Sequence, residues 1–300
     1  MYAVTSPFKA AQIAADDAAD DELVVVSGMH GRVQLSFFAD ENGRGRLKDL
    51  FQTSPFRVLF PTLPKAELSS AVLVTTSGGL LGGDRLDVGV HIDANAAVQV
   101  MGQAAEKVYR SLGEDTLFDA RLTVGAGAYL EWLPQETIVY DQARLRRTTS
   151  VDVADGGTFS GAEMLVFGRA AMGERVNTGL IRDVWDVSRN GKRVWADALH
   201  LDGDIVAQLD HPAGFAGARA AATFVHVSDD APQRLNLARN LLGEDCDELR
   251  TGATIVNGIL VVRWLADDAQ HMRTAFGEFW AVFRAQTQNL PGVMPRLWQI

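Results

Sequence analysis

The sequence predicts a mainly β protein: layered, stacked strands forming a β-helix-like single domain, with two helices near the C-terminus. Three observations predict it. Short apolar runs alternate with polar residues at period two, as in Val33, Leu35 and Phe37 set against Arg32, Gln34 and Ser36. Turn residues recur, with Asn95, Gly127 and Gly156 lying 32 and then 29 residues apart. Helical spacing appears only beyond Pro232.

In chain order, residues Met1 to Glu22 are rich in Ala and Asp and are expected to form a mobile tail, with residues 23 to 300 as one domain. Leu23 to Phe38 reads as the first strand region, and Asn42-Gly43-Arg44-Gly45 as a turn. Pro55, Pro61 and Pro64 punctuate an extended segment that no helix tolerates. Ala71 to Thr76 is a strand that enters the glycine run. The segments beginning Ala94, Ala126 and Asp155 share a turn and an alternating flank. A period near 30 fits β-units stacked into a layered core, and it equally fits ordinary β-meander turns. Strands follow at Val184–Ser188, Arg193–Leu201 and Thr223–Val227, with Asn190-Gly191 as a hairpin turn between the first two. Pro232 opens a short amphipathic helix carrying Leu235, Ala238, Leu241 and Leu242, which Gly243 stops. A long strand is expected over Ala253 to Leu265. Asp267-Asp268 then cap a second helix whose Met272, Ala275, Phe276, Phe279 and Phe283 form a core-facing stripe.

The chain has 28 basic and 38 acidic residues, a formal charge of −10, which argues against nucleic acid or an anionic membrane as partner. Its one basic cluster, Arg144-Leu145-Arg146-Arg147, reads as a solvated strand face. A single cysteine, Cys246, excludes an intramolecular disulfide framework and points to a reducing, cytoplasmic setting. No apolar run reaches the roughly 20 residues of a membrane span, and no export signal is visible.

Four glycines in six residues, Gly78, Gly79, Gly82 and Gly83, lead into Asp84-Arg85. The backbone there must turn sharply or pass close to a neighbour before presenting a carboxylate. An acid follows Gly83 where a phosphate loop needs lysine, so a nucleotide site is not expected. No G-x-S-x-G elbow occurs, and acids flank Cys246, disfavouring its thiolate. The six histidines lack metal-ligand spacing, so no tight metal site and no bound cofactor are predicted. Three acids in apolar surroundings, Asp84, Glu163 and Asp197, must be paired, hydrated or neutralised, with salt bridges to Arg85 or Arg169 as the structural explanation. Together they are candidates for a wet internal cavity. A β-solenoid hydrolase using such carboxylates as general acid and base is the alternative function. The mixed polar and aromatic segments holding Lys107, Tyr109 and Arg110, and Trp132 and Glu136, suit protein-binding surfaces, with core packing an equal reading for Trp132.

Five ordered blocks, SGGLLGGDRL, GQAAEKVYRS, LEWLPQETIVYDQARL, GAEMLVFGRAAMGE and MPRLWQI, are similar to those of the urease accessory protein D family, UreD, called UreH in some organisms. The resemblance implies a non-enzymatic maturation factor that binds urease apoprotein and, through UreF, the nickel-carrying GTPase UreG. It implies a layered β fold with an internal water-filled channel. On that basis Asp84, Glu163 and Asp197 match acidic positions along a passage for transient nickel(II). The chain departs from the family pattern at Glu106, which implies an extra acid in that part of the wall or a pair with Lys107.

Overall fold

The computed structural model describes residues 28–169, 172–243, 246 and 248–299. The first 22 residues and the Leu23–Ser27 part of the expected first strand lie outside this set. The strands are β1 (His30–Ala39), β2 (Gly45–Gln52), β3 (Phe56–Leu59), β4 (Ser69–Thr75), β5 (Arg85–Ile92), β6 (Ala97–Gly102) and β7 (Glu106–Val108). They continue with β8 (Thr116–Val124), β9 (Tyr129–Leu133), β10 (Thr137–Val139), β11 (Arg144–Val153), β12 (Thr158–Phe167), β13 (Thr178–Arg189) and β14 (Lys192–Asp204). After α1 (Ile205–Asp210) come β15 (Ala220–Val227), α2 (Leu235–Leu242), β16 (Leu249–Val256), β17 (Ile259–Ala266) and α3 (Ala269–Gln288).

The strands form two sheets whose order shows stacked coils. One sheet runs β14-β13-β11-β8-β5-β1-β2, and the other runs β16-β17-β15-β12-β9-β6-β4-β3, with β7 and β10 paired beside it. Within each, β5, β8, β11 and β13 pair in parallel, as do β6, β9 and β12. Ala97 sits beside Tyr129 and Tyr129 beside Thr158, so the register reproduces the spacing of the repeated turns. Asn95, Gly127 and Gly156 all have positive φ, at 61°, 64° and 69°, which makes them equivalent corners of successive coils. The stacked reading therefore holds, and the meander reading does not.

Period-two alternation builds the first core. Val33, Leu35 and Phe37 of β1, Val88 and Val90 of β5 and Leu122 and Val124 of β8 all lie fully buried between the sheets. Each such side chain contributes roughly 1.5–3 kcal/mol by leaving water. A second core lies on the other face of the second sheet, where Phe276, Phe279 and Phe283 of α3 pack on Phe224 and Trp264. The aromatic stripe is core packing, as its spacing predicts. Asp268 caps α3 by accepting from the His271 amide at 2.8 Å.

Two elements differ from expectation. The long strand over Ala253 to Leu265 is a hairpin, β16 and β17, turned at Asn257-Gly258 with φ of 47° and 82°. This is the same Asn-Gly signal that turns β13 into β14 at Asn190-Gly191. The third, short helix α1 was not foreseen; Asp204 caps it by accepting from the Ala207 amide.

Candidate functional site

The turn holding the glycines joins β4 to β5, crossing from one sheet to the other. Gly79 has φ 151°, and a Cβ there would sit 2.4 Å from the Tyr109 ring and 2.9 Å from the Lys107 carbonyl oxygen. At Gly82 a Cβ would meet Ser111 and the Glu114 carbonyl, while Gly83, at φ 88°, would meet the Glu114 carboxylate. The glycines thus permit close approach of the next coil's corner. Asp84 is buried beneath them: its Oδ1 accepts from the Met29 amide and its Oδ2 from the Leu81 amide, each at 2.8 Å. Its carboxylate pins the turn and the entry to β1.

Beside this turn a cavity of about 270 Å³ lies between the sheets, and Ser77, Gly78, Glu106, Lys107, Trp132, Thr137, Arg147 and Glu163 contribute to its wall. Arg147 and Glu163 in this wall belong to a buried ionic cluster. Arg147 Nε and Nη2 donate to the two carboxylate oxygens of Asp183 at 2.8 and 2.7 Å, and Nη1 donates to Thr137 Oγ1 at 2.9 Å. The same Nη1 lies 2.7 Å from Glu163 Oε2. Trp132 Nε1 and Thr149 Oγ1 donate to Glu163 Oε1 at 3.0 and 3.2 Å. Register explains the geometry: Arg147 on β11 lies directly beside Asp183 on β13, and Glu163 on β12 reaches across from the opposite sheet. One guanidinium faces two carboxylates, so the cluster carries a surplus of negative charge when both are ionised. Burial raises the Glu163 pKa, against the opposing pull of Arg147. Burial also raises that of Glu106. The hydroxyl of Ser77 is buried without a hydrogen-bond partner. The charged members of the wall are Glu106, Lys107, Arg147 and Glu163, two acids and two bases, set among apolar neighbours that include Phe56, Leu73 and Phe118.

The structure does not bring the three sequence-identified acids to one place. Glu163 lines the cavity, and Asp84 holds the adjoining turn. Asp197 lies on β14 in a separate groove of about 440 Å³, paired with Arg263. The hydrolase alternative needs two carboxylates facing one cleft, which these three do not provide. The expected salt bridges to Arg85 and Arg169 are replaced by others, since Arg85 pairs with Asp87 and Arg169 with Glu174. Arg85 holds the Asp87 carboxyl down to a pKa of about 2.

Among the surface candidates, Lys107 and Arg110 are exposed and Tyr109 is half-buried, its hydroxyl donating to the Gly78 carbonyl at 2.7 Å. Tyr109 meets Tyr140 edge-on at 4.9 Å, and Arg169 covers the Tyr140 ring. Trp132 is turned fully inward, and Glu136 is ion-paired with Arg273 of α3.

Sequence reasoning missed Arg147, read as part of a solvated face. Leu145, Arg147, Thr149, Val151 and Val153 share the inward side of β11, so the period-two pattern already carried that signal. It also missed a polar row under α3, where Gln99, Glu131, Ser160 and His226 lie on adjacent strands in register. Arg284 of α3 closes this row by donating to Glu131 at 2.9 Å and to Glu67 at 3.0 Å. A lone acid between Leu130 and Trp132 was the available sign.

A two-sheet β-solenoid, closed on one side by helices and holding an internal carboxylate-lined cavity, is the class of protein that the fold and site define. The model of the UreD urease accessory protein family matches residues 29–299, and the chain belongs to that family. It is 46% identical to "Urease accessory protein UreD" of Magnetococcus marinus over 276 residues, covering 91% of this chain and 95% of that protein. It is 43% identical over 272 residues to the protein of that name from a Methylobacterium species, covering 90% and 94%. The Azorhizobium caulinodans protein is 40% identical over 270 residues, covering 90% and 96%.

Proposed function

We propose that this chain is a non-catalytic scaffold of urease maturation. It binds urease apoprotein and, through a UreF-type protein, the GTPase UreG, and it helps deliver nickel(II) to the urease active site as cargo. Family membership over nearly the whole chain supports the maturation role. The observation that carries the passage reading is the buried cluster of Arg147, Glu163 and Asp183, of which Arg147 and Glu163 lie in the cavity wall. Carboxylates and water hold nickel(II) less tightly than imidazole and thiolate sites do, so such a wall attracts the ion and lets it leave.

In this reading Glu163 and Glu106 are the carboxylates that face the ion. Asp84 acts by fixing the turn beside the cavity, and Asp197 serves the outer groove with Arg263. Lys107, Tyr109 and Arg110 form the partner-facing rim, which Trp132 and Glu136 support from within. The chain needs no cofactor of its own for this work, and the proposed setting is the cytoplasm. No helix among the described residues is long and apolar enough to cross a membrane.

The test is urease activity in cells that carry the structural subunits and the other accessory genes, with and without this chain, at equal urease protein. Activity that depends on the chain is the expected result, and equal activity without it overturns the role. Glu163→Gln should then leave the chain associated with its partners while lowering the nickel content of the purified urease. Unchanged nickel content removes Glu163 from the passage.

A further inference from the structure

The second sheet has a break beside the cavity. Its parallel ladder stops where Met101 lies beside Leu133 and starts again where Glu106 lies beside Thr137, so residues 103–105 and 134–136 bend out of strand pairing. On β12, Gly161 pairs with Trp132 and Leu165 with Thr137, which sets Glu163 opposite the break. The two bends lie close together, since a Cβ at Gly102 would sit 3.1 Å from the Gln135 amide nitrogen. Both bends contribute to the cavity wall, and Gln103 and Ala104 are exposed, so the cavity nears solvent here.

Residues 291–299 hold this break. α3 ends at Asn289, whose φ of 53° turns the chain back along the helix. Gly292 then approaches Ala281 and Ala285, Met294 approaches Gly277, and Trp298 packs on Phe276. Gln135 Nε2 donates to the Gln103 carbonyl on one side and to the Leu297 carbonyl on the other, each at 2.9 Å. Arg273 of α3 donates to the Trp298 carbonyl at 2.9 Å and to Gln135 Oε1 at 3.1 Å, and it pairs with Glu136. Two side chains therefore tie the bends to this returning segment. The segment itself is lightly held. Among the described residues no strand pairs with it, and Trp298 is its one buried member. The Trp298 indole nitrogen is buried without a hydrogen-bond partner, which weakens that seat. A segment with one buried anchor opens more readily than paired core strands do.

We propose that residues 291–299 are a latch on the cavity mouth: lifting Trp298 from its seat releases Gln135 and Arg273 together and opens the break beside Glu163 while the strands stay paired. The inference rests on the passage reading for its purpose, since it places control of access to the cavity on this chain's own returning segment.

A thiol in the cavity wall reports access without nickel. Ser77 suits the purpose because its hydroxyl is buried and has no partner to lose. The full chain carrying Ser77→Cys, with the single natural cysteine removed by Cys246→Ser, is labelled with iodoacetamide. Labelling should be about tenfold or more faster once Trp298→Ala or Arg273→Gln is added. Phe283→Leu, which loosens α3 on Phe224 away from the returning segment, should leave the rate unchanged. The unaltered chain gives a second measurement by hydrogen exchange. The Glu106 amide, bonded to the Glu136 carbonyl, and the Trp298 amide, bonded to the Pro295 carbonyl, should open together, about tenfold or more often than the amides of β5. Labelling that neither Trp298→Ala nor Arg273→Gln speeds overturns the latch, as does equal acceleration by Phe283→Leu. A Glu106 amide as protected as those of β5 while Trp298 exchanges freely also overturns it. Failure of the passage reads differently, as unchanged urease nickel in Glu163→Gln, and the labelling does not depend on that result.

Discussion

Replacing Arg147 by Met keeps most of the side-chain volume and removes the cation that Glu163 and Asp183 share. It deletes two hydrogen bonds to Asp183, one to Thr137 and the ion pair to Glu163, and leaves two buried carboxylates without their shared cation. Breaking a buried pair from one side costs about 3–5 kcal/mol. With an unfolding entropy of roughly 2.1 cal/mol/K per residue over 300 residues, the thermal midpoint should fall by about 5–8 °C at pH 8. The loss should shrink in acid. Burial already raises the Glu163 pKa and Arg147 is what pulls it down, so without the guanidinium the folded state binds a proton there more readily than the unfolded chain does, and stability is lost as pH rises. At pH 5 the loss should be no more than about half that at pH 8. Tryptophan fluorescence during heating reads the transition, and Arg147→Met combined with Asp183→Asn should recover part of the deficit. An equal shift at both pH values, or a loss under about 1 kcal/mol, would refute the electrostatic account of the cluster.

Three further expectations follow the same reasoning. His226 is fully buried and its pKa is lowered to about 4 from 6.5, chiefly because burial disfavours the imidazolium. The unfolded chain therefore binds the proton first, so this contribution is present above pH 6.5 and is lost as pH falls toward about 4, by about 3 kcal/mol in all; urea titrations of the wild type and His226→Gln should show the slope flattened in the variant. Gly79→Ala should cost about 2–3 kcal/mol in urea denaturation, because its Cβ meets Tyr109 and Lys107 at a positive φ, whereas Gly78→Ala, with nothing within 4 Å, should stay within about 0.5 kcal/mol. Arg284→Met should destabilise the seating of α3 by roughly 3–5 kcal/mol, read as faster exchange of α3 amides, since it strips Glu131 and Glu67 of their shared cation.

The sequence by itself determined the β-class, the recurrence of the turns and the aromatic helix, because these depend on local alternation, on turn residues that accept positive φ, and on side-chain spacing along one element; that the turns stack as coils was decided by the strand register. It also marked the glycine turn and Glu163 as exceptional, since close backbone approach and buried charge both need unusual residues. The hairpin at Asn257-Gly258 was equally legible and was passed over because the apolar runs on either side read as one strand. Only the tertiary structure decided which acids share a site. Glu163 meets Arg147 from the opposite sheet, Asp84 spends both its oxygens on backbone amides, and Asp197 faces an outer groove. That assignment depends on which coil lies above which and on which face of each strand points inward. In β12 almost every residue is buried, so alternation gives no sign of the face, and the partner of Glu163 lies on another sheet.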